Sequence, residues 1–437
     1  MNRRLIYGLV TAVLLVNLAI GAELYLKVSK APPVKDTAGQ NLQLFADVLE
    51  KIRTQYVDGT NLTYRQLTYA ALNGMVDKLD PHSEFLDAQS YQQLQDDTEG
   101  QFGGLGLVVV EKKDGYVTVV TPMDDTPGAR AGILSGDRVI KIGTNSVVGV
   151  PLDDVVKTLR GEPGSKVTLT VQRPSTGVTK EYTLARAIIQ MDMVKDINGR
   201  KKFPLGENKI GYVRIAEFGD QTGDELEDAL QTLKGQGMKG LIIDLRGNPG
   251  GLLDEARNVC QKFLPRGQLI VTTEGRESKE SYYAEGDGDE LKGMPIVLLV
   301  NLGSASASEI VTGCLQDLHR AYVIGEKTFG KGSVQTIFPL DDGSALKLTV
   351  AKYYTPSHRV IHEHGITPDT IVTITDFEEA ALIRRGTPGG VESLPDEVQS
   401  VVKNVRDTQL ERAQDVLKGV LLYEAMGGVK PQKVATK

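Results

Sequence analysis

The pattern of apolar and polar positions divides the chain into stretches of different character. Leu5 to Ala22 is uncharged and follows Arg3 and Arg4. As a helix it would span ~27 Å at about 1.5 Å per residue, close to the ~30 Å hydrocarbon core of a bilayer. Residues 1–28 therefore read as an N-terminal membrane anchor with the arginines on the cytoplasmic side. The alternative is a signal peptide cleaved near Ala19-Ile20-Gly21. Residues 29–39 read as a linker. Leu42, Leu44, Phe45, Val48, Leu49, Ile52 and Tyr56 then fall at helical spacing. A second helix fits Tyr64 to Leu79, Asp80-Pro81-His82-Ser83 breaks it, and a third fits Ala88 to Asp97. Residues 40–98 form a helical region in this reading, an arm or a dimerising element.

The period shortens at Glu99. Gly103-Gly104-Leu105-Gly106-Leu107 leads into the strand Val108–Val110, and Tyr116 to Val120 alternates. A short helix fits Pro127 to Ala131, a strand opens at Gly136 to Ile140, a helix fits Pro151 to Leu159, and Lys166 to Gln172 alternates. The order of elements over 99–185, with a GLGL loop ahead of a strand, resembles a PDZ domain. Such a loop presents successive backbone N–H groups to a terminal carboxylate, and the adjoining strand edge takes up the peptide. Gly104, Leu105, Gly106 and Leu107 are the candidate peptide-binding residues.

Residues 186–376 alternate strand and helix. Strands fit Ile210–Ile215, Leu241–Leu245, Leu269–Thr273, Ile296–Val300, Ala321–Ile324 and Leu346–Val350; helices fit Asp224–Leu233, Leu253–Leu264 and Ser306–Leu318. That alternation predicts a mostly parallel sheet covered by helices. Reactive groups in such a fold gather where strands end and helices begin. Residues 377–437 are charged and helical, with a tail from Gly427. The fold class is thus multidomain α/β, with a helical N-terminal region, an inserted β-rich PDZ domain and an α/β core.

Charge removes one class of function. A net charge of −7 over 437 residues argues against a nucleic-acid binder. The only cysteines, Cys260 and Cys314, exclude a disulfide framework, and apolar neighbours make them small buried residues.

Three segments carry chemistry. Asp244-Leu245-Arg246-Gly247-Asn248-Pro249-Gly250-Gly251 follows an apolar strand, and its glycines let backbone N–H groups turn toward a ligand. It is either half of an oxyanion hole or a plain strand-to-helix turn. Ser304, Ser306 and Ser308 stand at the start of a helix. Ser306 and Glu309 match a capping box; equally, a serine there would sit beside unpaired N–H groups that favour an oxyanion. Spacing does not choose among the three. The third segment is Gly330-Lys331-Gly332-Ser333. Gly325 to Gly332 nearly spells a phosphate loop, but Gly332 replaces the metal-binding hydroxyl. Lys331 as a base must be neutral, which burial would favour.

Together these segments resemble the C-terminal processing peptidases, Ser/Lys serine endopeptidases with an embedded PDZ domain. NLGSASASEIV, RAYVIGEKTFGKGSVQ and IDLRGNPGG carry the likeness, with GMVDKLDPHSEFL and AKYYTPSHRVIHEHGITPD at its ends. The resemblance implies Ser306 as nucleophile, Lys331 as general base and Gln335 as the residue that orients the lysine. It implies oxyanion donors at the amides of Ala307 and Gly251, with Gly250 a near rival, and Arg160 as a sensor of bound peptide. His358 stands where the family usually has glycine, and Cys314 where it has alanine. His358, His362, Glu363 and His364 could suggest zinc, but the resemblance places them in a late strand and loop. No metal and no cofactor are expected, and His82 and His319 read as structural.

The sequence therefore predicts a serine endopeptidase of the cell envelope, exported and anchored by residues 1–28. Its expected partners are protein substrates with free C-termini and the membrane, with no nucleic acid; a homo-oligomer or an adaptor is compatible. A catalytically inactive PDZ-type scaffold is the alternative, and a nucleotide-binding protein is disfavoured by Gly332.

Overall fold

The computed structural model describes residues 16, 18, 37–58, 62–111, 115–123, 125–286, 291–386, 391 and 394–426. Except for Val16 and Leu18, which are helical and exposed, the expected anchor at 1–28 lies outside them, as does the tail from Gly427. Among the described residues no helix is long and apolar enough to cross a membrane.

Contacts divide the chain into two units, Met1–Lys78 and Leu79–Lys437. The first holds α1 (Ala38–Gln55) and α2 (Tyr64–Val76). Thr63 and Gln66 close a capping box at the start of α2. The Arg53 guanidinium stacks 4.2 Å from the Tyr64 ring, whose hydroxyl donates to Glu50 at 2.6 Å. Leu42, Leu44, Phe45, Val48 and Ile52 of the apolar stripe of α1 are exposed, and Leu49 is half-buried.

The second unit begins with β1 (Glu84–Leu86) and α3 (Ala88–Glu99). Residues 79–98, grouped by sequence with the helical region at 40–98, fall on this side of the division. β2 (Gln101–Gly104) follows, then the PDZ elements β3 (Leu107–Glu111), β4 (Val117–Pro122), α4 (Pro127–Arg130), β5 (Arg138–Ile142), β6 (Asn145–Ser146), α5 (Leu152–Leu159), β7 (Lys166–Arg173) and β8 (Val178–Ala185). Their sheet runs β3-β4-β5-β7-β8, with β6 on β5. Val117, Val119, Ile133, Val139, Leu169 and Val171 fill its core. β9 (Ala187–Gln190) pairs antiparallel with β2, so the chain enters and leaves the inserted domain through one two-stranded ribbon.

The peptidase core comprises β10 (Val194–Lys195), β11 (Ile210–Ile215), α6 (Thr222–Gly235), β12 (Gly240–Asp244), α7 (Leu253–Gln261), β13 (Leu269–Gly275), β14 (Lys279–Tyr283), β15 (Ile296–Val300), α8 (Ala307–Asp317), β16 (Tyr322–Gly325), β17 (Ser333–Pro339), β18 (Ala345–Tyr354) and β19 (Thr370–Ile371). The chain closes with α9 (Asp376–Gly386), α10 (Asp396–Asn404) and α11 (Thr408–Ala425). One sheet has the order β10-β11-β12-β15-β16-β19, parallel except where β10 meets β11. Every residue of β12 and β15 is buried, which explains their unbroken apolar runs. Leu226, Ala256, Val259 and Val311 cover one face; Ala413 and Leu417 of α11 cover the other, against Ile242, Val297, Leu299 and Ile324.

Two expected parallel strands lie elsewhere. Leu269–Thr273 and Leu346–Val350 fall in a second, antiparallel sheet of order β1-β18-β13-β14, with β17 on β18. Connections of a few residues join β13 to β14 and β17 to β18. A parallel pairing needs a crossover of a dozen or more residues, so these two pairs can only be hairpins.

Candidate active site

β15 ends at Val300 and α8 begins at Ala307, and the three serines occupy the turn between them and the first helical positions. The structure separates them. Ser304 Oγ donates to the Leu245 carbonyl at 2.7 Å, and Ser308 Oγ donates to the Asn248 carbonyl at 3.0 Å. Both are fully buried and both tie α8 to the loop after β12. Ser306 is left as the candidate nucleophile. Ser306 and Glu309 close the expected capping box at the start of α8, but the Ser306 backbone, at φ 54° and ψ −113°, is not that of an ordinary helix cap. Such a conformation costs roughly 1–3 kcal/mol and persists only where the surroundings impose it.

The loop after β12 supplies part of that imposition. Gly250 has φ 108°, and a Cβ there would lie 2.7 Å from Ser306 Cβ and 2.8 Å from the Ala305 carbonyl. Only glycine permits this approach. The loop also separates the two rival oxyanion donors. The Gly250 N–H donates to Asn248 Oδ1 at 2.8 Å. Gly251 makes a parallel bridge with Phe218, in which the Gly250 carbonyl and the Leu252 N–H are the partners. The Gly251 N–H takes part in none of the hydrogen bonds among the described residues, and neither does that of Ala307. Ala307 is the first residue of α8, where N–H groups have no intrahelical acceptor and the helix end is positive. These two amides suit an oxyanion better than the Gly250 pair.

The backbones of Lys331 and Ser306 are held on one carboxylate, that of Glu309, a residue that the sequence marked only as a capping partner. Glu309 is fully buried. One of its oxygens accepts the Ser306 N–H and the Lys331 N–H, each at 2.9 Å. The other accepts the Gly330 N–H at 2.7 Å and the Thr328 hydroxyl. Burial pushes its pKa up, against these four hydrogen bonds. Burial also lowers the Lys331 pKa; the charge of Lys347 lowers it further, and Glu309 opposes them. A lysine so placed loses its proton more readily than one in water, as a base requires. The residues after Gly332 form β17 and not a helix, so the Gly325–Ser333 loop lacks the helix N-terminus of a phosphate loop.

Gln335 lies on β17 beside a bulge. Its Nε2 donates to Ser333 Oγ at 2.9 Å and to Thr349 Oγ1 at 3.2 Å. His82 lies near enough to Lys331 for the lysine's charge, after burial, to lower the His82 pKa. His358 has φ 62°, the left-handed conformation that glycine adopts most readily; its ring packs 4.6 Å from that of Tyr354, and Nε2 lies 3.1 Å from Glu274. His364 Nδ1 instead faces the His362 carbonyl at 2.7 Å. Cys260 and Cys314 are buried free thiols on α7 and α8.

In the PDZ domain β3 is the sheet's edge strand. Leu105 is buried in the domain core and Gly106 has φ 68°. Gly161, just past α5, donates to the Gly103 carbonyl at 3.0 Å. Arg160 ends α5, pairs with Asp97 of α3 at 2.9 Å and lies 4.4 Å from the Phe102 ring. It therefore links the α5 end to elements outside the PDZ sheet.

A carboxy-terminal-processing protease of Bartonella bacilliformis is 42% identical to this chain over 338 residues, 76% of this chain and 75% of that protein. Peptidase family S41 matches residues 209–372, and a PDZ domain matches residues 118–173. The chain belongs to peptidase family S41. A Staphylococcus epidermidis relative, named as a probable CtpA-like serine protease, is 40% identical over 320 residues, 73% of this chain and 63% of that one. Among solved structures, a photosystem II D1 C-terminal processing protease is 30% identical, with 81% of this chain and 99% of that one covered at a TM-score of 0.44. This S41 protein is a serine-type peptidase with a PDZ domain beside an α/β core.

Proposed function

We propose that this S41 peptidase is an endopeptidase of the cell envelope that takes the C-terminal end of a protein substrate on its PDZ domain and cleaves by a Ser306/Lys331 dyad. Neutral Lys331 takes the hydroxyl proton of Ser306, and Oγ attacks the scissile carbonyl carbon. The amides of Gly251 and Ala307 receive the oxyanion. The Lys331 ammonium then protonates the leaving amine. A water molecule, deprotonated by Lys331, releases the acyl group from Ser306. The free edge of β3 and the loop Gly104–Leu107 suit a peptide added as a strand with its carboxylate on the loop amides. Residues 1–28 would anchor the protein with its catalytic part outside the cytoplasm.

The commitment of Ser304 and Ser308 to the 245–248 loop supports this reading most. It leaves Ser306 beside two unused N–H donors and on the same carboxylate as Lys331. Degradation of an unfolded protein with a free C-terminal tag tests it. Wild type should degrade the protein while Ser306→Ala and Lys331→Ala do not; activity retained by Ser306→Ala would refute the dyad. Mass measurement of the mature protein checks the anchor, since a cleaved signal peptide would remove roughly twenty residues.

A further inference from the structure

A cavity of about 220 Å³ that no step above uses opens beside Gly247, in the loop after β12. Arg214 near the end of β11, Asn301 after β15, Glu379 and Leu382 on α9 and Leu410 on α11 also line it. It thus lies at the carboxyl ends of the parallel strands, where such sheets take their ligands.

Arg214 is half-buried. Its guanidinium reaches from the loop to the end of α9: a Cβ built on Gly247 or on Gly386 would lie 3.7 Å from one of its terminal nitrogens. Its Nη2 donates to the Arg246 carbonyl at 3.1 Å, and no carboxylate among the described residues pairs with it. The acids at the cavity have other partners. Asp244 and Asp407 hold Arg246, and Glu379 accepts from Asn301.

A second cation stands directly opposite. Lys195 on β10 is the cross-strand partner of Arg214. Such residues share one face of the sheet, with Cβ atoms about 4.5–5.5 Å apart, and like charges there are destabilising. Lys195 is half-buried, and among the described residues its amine makes neither a hydrogen bond nor an ion pair. Burial lowers its pKa; Asp192 and Glu225 oppose this, and Arg214 and Lys201 add to it. Asp192 and Glu225 are themselves held by Lys201, at 2.9 and 2.6 Å. Folding therefore sets two cations side by side with no acid of the described residues paired to either. An anion placed between them would remove that cost.

We propose that this cavity is a binding site for a small molecule with one carboxylate and an apolar body. The carboxylate takes Arg214 and Lys195, and the body packs on Ile374, Leu382 and Leu410. A guanidinium fork matches a carboxylate in geometry as well as charge. The volume falls below the roughly 300–1,000 Å³ of sites for drug-sized ligands, so the ligand is small. Glu379 and Asp407 on the same wall disfavour a dianion such as phosphate.

Calorimetric titration of the full chain tests this, with N-acetylleucine, its uncharged amide and inorganic phosphate at constant ionic strength. N-acetylleucine should bind, and the amide should not. Arg214→Met and Lys195→Met should each weaken binding about 10-fold or more, the usual loss for a hydrogen bond to a charged group. Should Arg214→Met fail to fold, Lys195→Met carries the test, since that amine holds no other group. Without ligand, Lys195→Met should melt above wild type, because the opposed charges are gone. A lower midpoint would show that acids already satisfy the lysine and overturn the proposal. Binding undiminished in both variants would place the carboxylate elsewhere, the PDZ loop included, and overturn it too. So would equal affinity for the amide, tighter binding of phosphate, or no binding of N-acetylleucine at millimolar concentration.

Discussion

The amide nitrogens of Ser306 and Lys331 each lie 2.9 Å from the same oxygen of the Glu309 carboxylate. Two residues 25 positions apart in the sequence are thereby held in register through their backbones. Glu309→Gln keeps the shape but presents an NH2 to one pair of N–H or O–H donors. Leaving such buried donors unpaired costs about 1–3 kcal/mol. A displacement of about 1 Å at the reacting groups costs on the order of 100-fold in rate. The variant should therefore fold with a lower urea midpoint and turn over about 100-fold more slowly. Wild-type turnover would show that Glu309 only caps α8.

Gly250 offers a steric test of the same geometry. A Cβ at this position meets Ser306 Cβ at 2.7 Å, and φ is 108°. Gly250→Ala should lose activity and about 1–3 kcal/mol of stability, the usual range for overpacking. Gly235, on α6, has nothing within 4 Å of a Cβ, so Gly235→Ala should leave activity unchanged. Thermal midpoints and peptidase assays on the pair decide whether the close approach matters.

Much of this was legible in the sequence, because short-range pattern encodes it. The apolar runs Ile296–Val300 and Leu241–Ile243 announce buried parallel strands, and the S-x-x-E spacing announces the start of α8. What was not legible depends on contacts between distant segments. Ser304 and Ser308 differ from Ser306 in donating to the carbonyls of Leu245 and Asn248, about sixty residues earlier. The Asn248 side chain takes the Gly250 amide, while that of Gly251 enters none of the hydrogen bonds among the described residues. Asp80 read as a helix breaker, and its bond to Thr349 spans 269 residues. The second sheet was missed because β13 and β18 have ordinary strand composition; their hairpin connections decide the partners.

The proposed lysine base predicts a pH dependence of definite sign. Burial and then Lys347 lower the Lys331 pKa below its ordinary 10.5. Activity should rise with pH as Lys331 loses its proton, with the midpoint below that value. Lys347→Met removes a repelling charge, so the Lys331 pKa should rise and the acid limb move to higher pH. The folded state holds the Lys331 proton less tightly than the unfolded chain does. Below the folded pKa this lysine therefore disfavours folding, and the penalty fades as pH rises through the window between folded and unfolded values. Lys331→Met should accordingly be inactive with a higher thermal midpoint at neutral pH. A limb unmoved by Lys347→Met, or a less stable Lys331→Met, would contradict the assigned environment.

Acid should weaken the core at the end of β12, just before the proposed oxyanion loop. Asp244 ends β12 fully buried and accepts from the Arg246 side chain at 2.6–3.1 Å, from the Arg246 N–H at 2.9 Å and from the Tyr212 hydroxyl at 2.8 Å. Burial pushes its pKa up, but the charge and hydrogen bonds of Arg246 outweigh that and bring it down to about 2. A depressed carboxylate contributes stability above its unfolded pKa and loses it as pH falls through the folded one. Between pH ~4 and ~2 the protein should therefore lose roughly 2 kcal/mol from this group, at about 1.4 kcal/mol per pKa unit. Arg246 also pairs with Asp407 at 2.9 Å, at the start of α11. Arg246→Met leaves both carboxylates without their cation, a change that typically costs 3–5 kcal/mol. Urea midpoints at pH 3, 5 and 7 should show wild type falling only at the lowest pH and Arg246→Met weak throughout. Equal midpoints for the two proteins at pH 7 would rule out the ion pair as the tie between α11 and the sheet.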